Sequence, residues 1–186
     1  MNNHSSPVPS SGVLWLQGFS ALTIANLRQE AHGCGIDPGR LVFAQRVPTK
    51  AMHIARLALA DLTLDTVGWH NGHSSTSDAL WAGVPVLTAP TGSFASRVAT
   101  SLVNAAGLPE LIVRDRQDYV AAAIRLGNDR AQLGALKRKL ADNQRTAPFF
   151  DTRQIVRDLE AAYLSMWNIC RAGKRARVID LATQSP

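Results

Sequence analysis

The stretch from Leu62 to Arg97 constrains this chain more than any other. It reads in order as strand, polar loop, helix, strand, loop and helix start. Leu62 and Leu64 alternate with polar residues and the run ends at Asp65, as a short strand does. Gly68, Asn71 and Gly72 then turn the chain. Ser74 or Ser75 is placed to cap a helix, and Asp78 is expected in its first turn, where an anion suits the helix dipole. That helix carries Ala79, Leu80, Trp81 and Ala82 and stops at Gly83, with Pro85 just beyond. Val84 to Thr88 is a short apolar run of the kind buried in parallel sheets. A hydroxyl-rich helix start at the carboxyl end of a strand is where open α/β sheets bind phosphate.

The rest of the chain repeats this alternation. Val13–Leu16 and Leu41–Ala44 read as strands, and Ala21–Ala31 as a helix ended by Gly33 and Gly35. Gly33-Cys34-Gly35 follows a helix, whereas a dinucleotide fingerprint follows a strand, so that reading is rejected. Pro38-Gly39-Arg40 is a turn, and a helix is predicted from about Lys50 to Leu59. Lys50, His53 and Arg56 recur every three residues and share one side of it; taken alone, they read as a polar solvent face. A helix over Phe94–Ala106, a last strand at Leu111–Val113 and helices over Tyr119–Leu126 and Ala131–Leu140 follow. From Thr152 to Arg171 a helix carries Ile155, Leu159, Ala162, Tyr163, Met166, Trp167 and Cys170 in one stripe, which reads as core packing. The pattern as a whole predicts an α/β fold, a Rossmann-like parallel sheet with helices on both faces. Residues 1–12 are expected to be a disordered leader, 13–172 the folded lobe and 173–186 a disordered basic tail.

Length and composition narrow the function. The 186 residues suffice for one full core, and 46% hydrophobic with 18% charged residues is ordinary for a soluble globular chain. No apolar run approaches the roughly 20 residues that cross a bilayer, and the first residues lack a signal-peptide pattern. Cys34 and Cys170 are far apart, and their usage predicts free thiols in a cytoplasmic protein. The net charge of +6 sits partly at Lys137, Arg138 and Lys139 and partly in the tail. No basic stripe interleaved with aromatics accompanies it, so nucleic acid is not an expected partner. His70 and His73 lack a third ligand, so no metal is expected.

Asn71-Gly72-His73-Ser74-Ser75-Thr76-Ser77-Asp78-Ala79-Leu80-Trp81-Ala82-Gly83-Val84-Pro85 resembles the nucleotide-binding signature of the protein O-GlcNAc transferases, the SPINDLY-like group of glycosyltransferase family 41. Residues 46–65, Phe94–Ala99, Gly107–Leu111 and Pro148–Thr152 fit the same family in the same order, so the likeness runs from about Val13 to Trp167. The resemblance implies the C-terminal, donor-binding lobe of a two-lobed (GT-B type) glycosyltransferase. It implies transfer of a sugar, most often from UDP-GlcNAc, to serine or threonine hydroxyls of a protein acceptor, with inversion and without a bound metal or other cofactor. It turns Lys50, His53 and Arg56 into contacts to the nucleotide. His73, Ser74 and Ser75 become the holders of the diphosphate, and Asp78 an acceptor for the ribose hydroxyls, though a plain first-turn charge is the alternative for Asp78.

Some positions depart from the family pattern. Ser74 and Ser75 stand where the family has threonines, which keeps the hydroxyls and drops the methyls. The loop Val67–His70 is one residue longer than usual. The family's leaving-group lysine precedes the first strand, whereas no lysine precedes Lys50 here, so no catalytic residue is assigned. Arg97 is expected to be a structural hydrogen-bond donor, and Asp65 and Thr66 to shape the loop. The sequence also predicts that the missing N-terminal catalytic lobe, or self-association, covers the 152–171 stripe. A non-catalytic UDP-binding fragment is the alternative function, with a two-lobed sugar epimerase relative as a third, and GDP remains open as the nucleotide.

Overall fold

The computed structural model describes residues 12–68 and 70–181. Its elements follow the predicted order: β1 (Leu14–Gln17), α1 (Ala21–Gly33), β2 (Leu41–Ala44), α2 (Lys50–Leu57), β3 (Thr63–Leu64), α3 (Ser74–Trp81), β4 (Val86–Leu87), α4 (Phe94–Ala105), α5 (Arg116–Asn128), α6 (Arg130–Asn143) and α7 (Thr152–Arg171). Both strand pairings are parallel: β1 runs beside β2 with Leu14 opposite Leu41, and β3 beside β4 with Thr63 opposite Val86. These form two separate two-stranded sheets among the described residues. An isolated parallel bridge from Thr88 to Ile112 extends the second pair by one residue.

The expected strand at Leu111–Val113 is therefore reduced to that bridge. Pro109 opens a 3-10 turn through Leu111, and the amide of Ile112 is taken back by the Pro109 carbonyl at 3.1 Å. The run keeps two bonds to Thr88: Thr88 N donates to the Leu111 carbonyl and Val113 N to the Thr88 carbonyl, each at 3.0 Å. Proline has no N–H for a ladder and favours the first turn of a helix, which is why the run cannot pair along its length.

Leu80, Val84, Val86, Leu87, Val103, Leu108, Leu111, Leu126 and Leu140 form the core, all at most 2% exposed. It is made by α3, β4, α4, α5 and α6. Gly83 allows α3 to pass into β4, since its φ of +79° lies in the left-handed region that side chains resist. The chain before Asp61 is packed differently: of residues 12–60 only Leu41 is buried.

The terminal helix departs from its expected role. α7 buries none of its residues, and Ile155, Leu159, Tyr163, Met166 and Trp167 are 49–60% exposed. The apolar stripe is real, yet it is not covered by the described residues. The expected leader lies outside the described residues except for residue 12. Of the expected tail, 173–181 is described and forms no helix or strand, while 182–186 lies outside. Cys34 and Cys170 are free and exposed. Among the described residues no helix is long and apolar enough to cross a membrane.

Candidate functional site

The start of α3 is unlike the start of every other α-helix described. In the other six, a side-chain oxygen at the N-cap accepts from an amide of the first turn: Ser20, Thr49, Ser93, Asp115, Asp129 and Asp151. At α3 the N-cap is His73, with φ −115° and ψ −89°, and its side chain makes no cap bond. The expectation that Ser74 or Ser75 caps the helix is corrected: both lie inside it as its first two residues, where helical backbone turns the side chain away from the cap position. The first amide to find a backbone carbonyl is that of Ser77, 3.0 Å from His73 O. The amides ahead of it are the ones a helix cannot satisfy from within. Ser74 and Ser75 are exposed beside them. Asp78 is the fifth helical residue, so it stands in the second turn and not the first.

Asp78 instead ties α3 to α2. Lys50 Nζ lies 2.5 Å from both carboxylate oxygens, and His53 Nε2 lies 3.3 Å from Oδ2. Lys50 remains two-thirds exposed while Asp78 is 15% exposed. Arg56 is the next residue on that side of α2. Its Nη2 meets His53 Nδ1 at 3.4 Å, its Nη1 donates to the Gln45 carbonyl, and its guanidinium stacks 5.6 Å from the Trp15 ring centre. With Arg56 donating to Nδ1, the His53 ring is the tautomer that offers its Nε2–H to Asp78. So Lys50, His53 and Asp78 are brought into direct contact, whereas Arg56 is engaged with Trp15, Gln45 and His53. Its Nε is buried without a hydrogen-bond partner.

His73 is held from the other side. Its Nε2 lies 2.9 Å from the Ala95 carbonyl at the start of α4, and the His70 ring packs edge-on at 5.0 Å. Gly72, just before it, has no room for a side chain: a Cβ there would come within 2.5 Å of Thr76 Oγ1 and 2.8 Å of Ser75 Oγ. Arg97 donates to the Gly92 carbonyl at 2.8 Å, as expected of a structural donor.

Sequence reasoning treated Asn71 as a turn residue and passed over Thr88 and Tyr119. All three belong to one buried network around Asp65. Asp65 Oδ1 accepts from Thr66 N at 2.8 Å and Gly72 N at 2.6 Å, and Oδ2 accepts from Thr88 Oγ1 at 2.6 Å. Asn71 Nδ2 donates to Thr88 Oγ1 at 3.2 Å and to the Ala89 carbonyl at 3.0 Å. Tyr119 donates its hydroxyl to the Asp65 carbonyl at 2.7 Å. Burial, followed by the nearby Asp65 charge, pushes the Tyr119 phenol above its ordinary range. The only sequence signal for this network was the polar character of Thr88 at the end of the apolar run Val84–Leu87.

Two shallow surface depressions line α5 and the turn before it, and neither is lined by any of these residues. The face at α3 is open. Among the described residues no group of three His, Cys, Asp or Glu could hold a metal ion.

The chain is thus an α/β protein with parallel strand pairs, in which an uncapped helix start follows β3 and is flanked by basic side chains. The family model described as glycosyl transferase family 41 matches residues 3–159. The chain is 38% identical over 179 residues to the UDP-N-acetylglucosamine--peptide N-acetylglucosaminyltransferase of Caenorhabditis elegans, covering 96% of this chain and 15% of that protein. It is 40% identical over 169 residues to the probable enzyme of the same description, SEC, of Arabidopsis thaliana, covering 90% of this chain and 17% of that one. A mutant form of the Thermobaculum terrenum O-GlcNAc transferase superposes with a TM-score of 0.76 at 30% identity, over 87% of this chain and 31% of that one. The chain belongs to glycosyl transferase family 41. It spans less than a fifth of the length of these two sequence relatives.

Proposed function

We propose that this chain is the donor-binding lobe of an inverting protein O-GlcNAc transferase-like enzyme. It would hold UDP-GlcNAc for transfer to serine or threonine hydroxyls. The observation that carries the reading is the start of α3, left without a side-chain cap while Asp78 of the same helix draws Lys50 and His53 alongside. The names of the sequence relatives, which specify UDP-N-acetylglucosamine and a peptide, support the choice of donor and acceptor.

In this reading the amides opening α3, with Ser74, Ser75 and His73, receive the diphosphate. A charge-assisted hydrogen bond contributes roughly 1.5–3 kcal/mol net, against about 0.3–1 kcal/mol for the helix-end charge term. Direct donors therefore outweigh the dipole. Lys50 is two-thirds exposed, so water screens its end of the pair, and a ligand can draw Lys50 away from Asp78. Lys50 is then free for a phosphate and Asp78 for the ribose hydroxyls. Transfer forms a bond between the sugar C1 and the acceptor oxygen as the C1 bond to the diphosphate breaks, and the hydroxyl proton ends on water or on the departing diphosphate. The charge that develops on the leaving diphosphate is met by donors already in place.

Calorimetry tests the reading. UDP is expected to bind the folded protein, with the same affinity in the presence of a chelator. No heat with either UDP or GDP would reject the site, and loss of binding on chelation would reject its metal independence. Transfer of labelled GlcNAc to a serine-rich peptide separates a catalytic role from a pure binding module.

A further inference from the structure

Asp65 is 8% exposed, and among the described residues each hydrogen bond to its carboxylate comes from a neutral donor. Among the described residues no cation pairs with it. Burying a carboxylate without a cation is costly, so the position is not explained by stability. What a carboxylate does better than any amide is accept from several donors at once, because it carries none of its own. The three donors come from separate places. Thr66 opens the loop after β3, Gly72 closes it one residue before the α3 N-cap, and Thr88 follows β4.

The clasp is reinforced at both ends. Thr66 Oγ1 donates to the His70 carbonyl at 3.0 Å, and Thr91 Oγ1 donates to the Gly68 carbonyl at 2.8 Å. Thr88, while donating to Asp65, accepts from Asn71. The loop between β3 and α3 is thus closed by one carboxylate, and the closing bond is to the residue that leads into the uncapped amides.

We infer that Asp65 is a positioning residue for the phosphate end of the donor site, fixing the start of α3 against β4 without touching the ligand. This rests on the donor-binding reading above. In Asp65→Asn the amide puts N–H hydrogens against Gly72 N, Thr66 N or Thr88 Oγ1. Thr88 cannot absorb this, since it already accepts from Asn71 and needs an acceptor for its own proton. The clasp opens on one side, and the first turn of α3 loses its fixed direction.

The test compares UDP with uridine, which lacks the phosphates, on the wild-type chain and Asp65→Asn. UDP affinity is expected to fall at least tenfold while uridine affinity stays within about twofold. Equal losses for both ligands would show a general disturbance of the fold and overturn the inference, as would unchanged UDP binding. If Asp65→Asn does not fold, Thr88→Val and Thr88→Ser decide by the same comparison. The valine variant is expected to lose UDP selectively and the serine variant to keep it; loss of both or of neither overturns the inference. Wild-type protein that ignores UDP would bring down the donor-binding reading and this inference together, whereas wild-type binding with an indifferent Asp65→Asn sinks this one alone.

Discussion

His73 has a place both in the fold and in the proposed donor site. Its Nε2–H is donated to the Ala95 carbonyl and its backbone carbonyl accepts from Ser77 N, so in the neutral ring Nδ1 carries only a lone pair, and a bond from Nδ1 to a phosphate oxygen requires the doubly protonated ring. His73→Ala is expected to weaken UDP binding by about 1–3 kcal/mol, the range for a lost hydrogen bond to a charged group. The melting temperature should change little, and a large drop in it with affinity intact would make His73 structural. Tyr119 makes a prediction about pH. Its folded phenol titrates above the usual value of about 10. The protonated form is therefore the one the fold favours. Its contribution is complete below about pH 10 and is lost as pH rises further, because only the unfolded chain ionises readily there. Tyr119→Phe removes that loss together with one hydrogen bond, at about 0.5–1.5 kcal/mol. Denaturant melts from pH 8 to 11 should show a shallower alkaline decline in the variant; parallel declines would contradict it. Arg56 carries the opposite lesson to His73. Its spacing with Lys50 and His53 was legible, but its engagement with Trp15 and Gln45 was not, because those partners are distant in sequence.

At the scale of elements, several helices and the strand β2 were the legible part. α7 and β2 have the bounds that periodicity gives, because their apolar spacing and flanking Pro and Gly residues are local signals. The start of α3 was not legible. A serine before a helix usually caps it, but here the N-cap is His73, and the Gly72 amide before it is held by Asp65, seven residues back. Likewise the Leu111–Val113 run has strand composition, and the preceding proline decides against it. The α7 stripe illustrates a different limit: hydrophobic period reveals that a face is apolar, not what covers it. With that face open, the protein is expected to self-associate at high concentration, as large exposed apolar patches do. Leu159→Lys places a charge in the middle of the stripe, and sedimentation should then shift toward monomer. An unchanged distribution would remove α7 as the contact.

At the scale of the molecule, the site joins two unequally packed parts. His73, Ser74, Ser75 and Asp78 belong to the part that contains the core, while Lys50, His53 and Arg56 ride on a segment in which only Leu41 is buried. Local opening is easiest where few apolar contacts must break. Amide hydrogen exchange should therefore run faster in β1, α1, β2 and α2 than in α4, α5 and α6. Uniform protection through both parts would argue against this division. The consequence reaches ligand binding: a nucleotide gripped from both sides would behave as a removable piece of interior. Its arrival would slow exchange most in strands and helices far from any atom it touches, and its departure would release them.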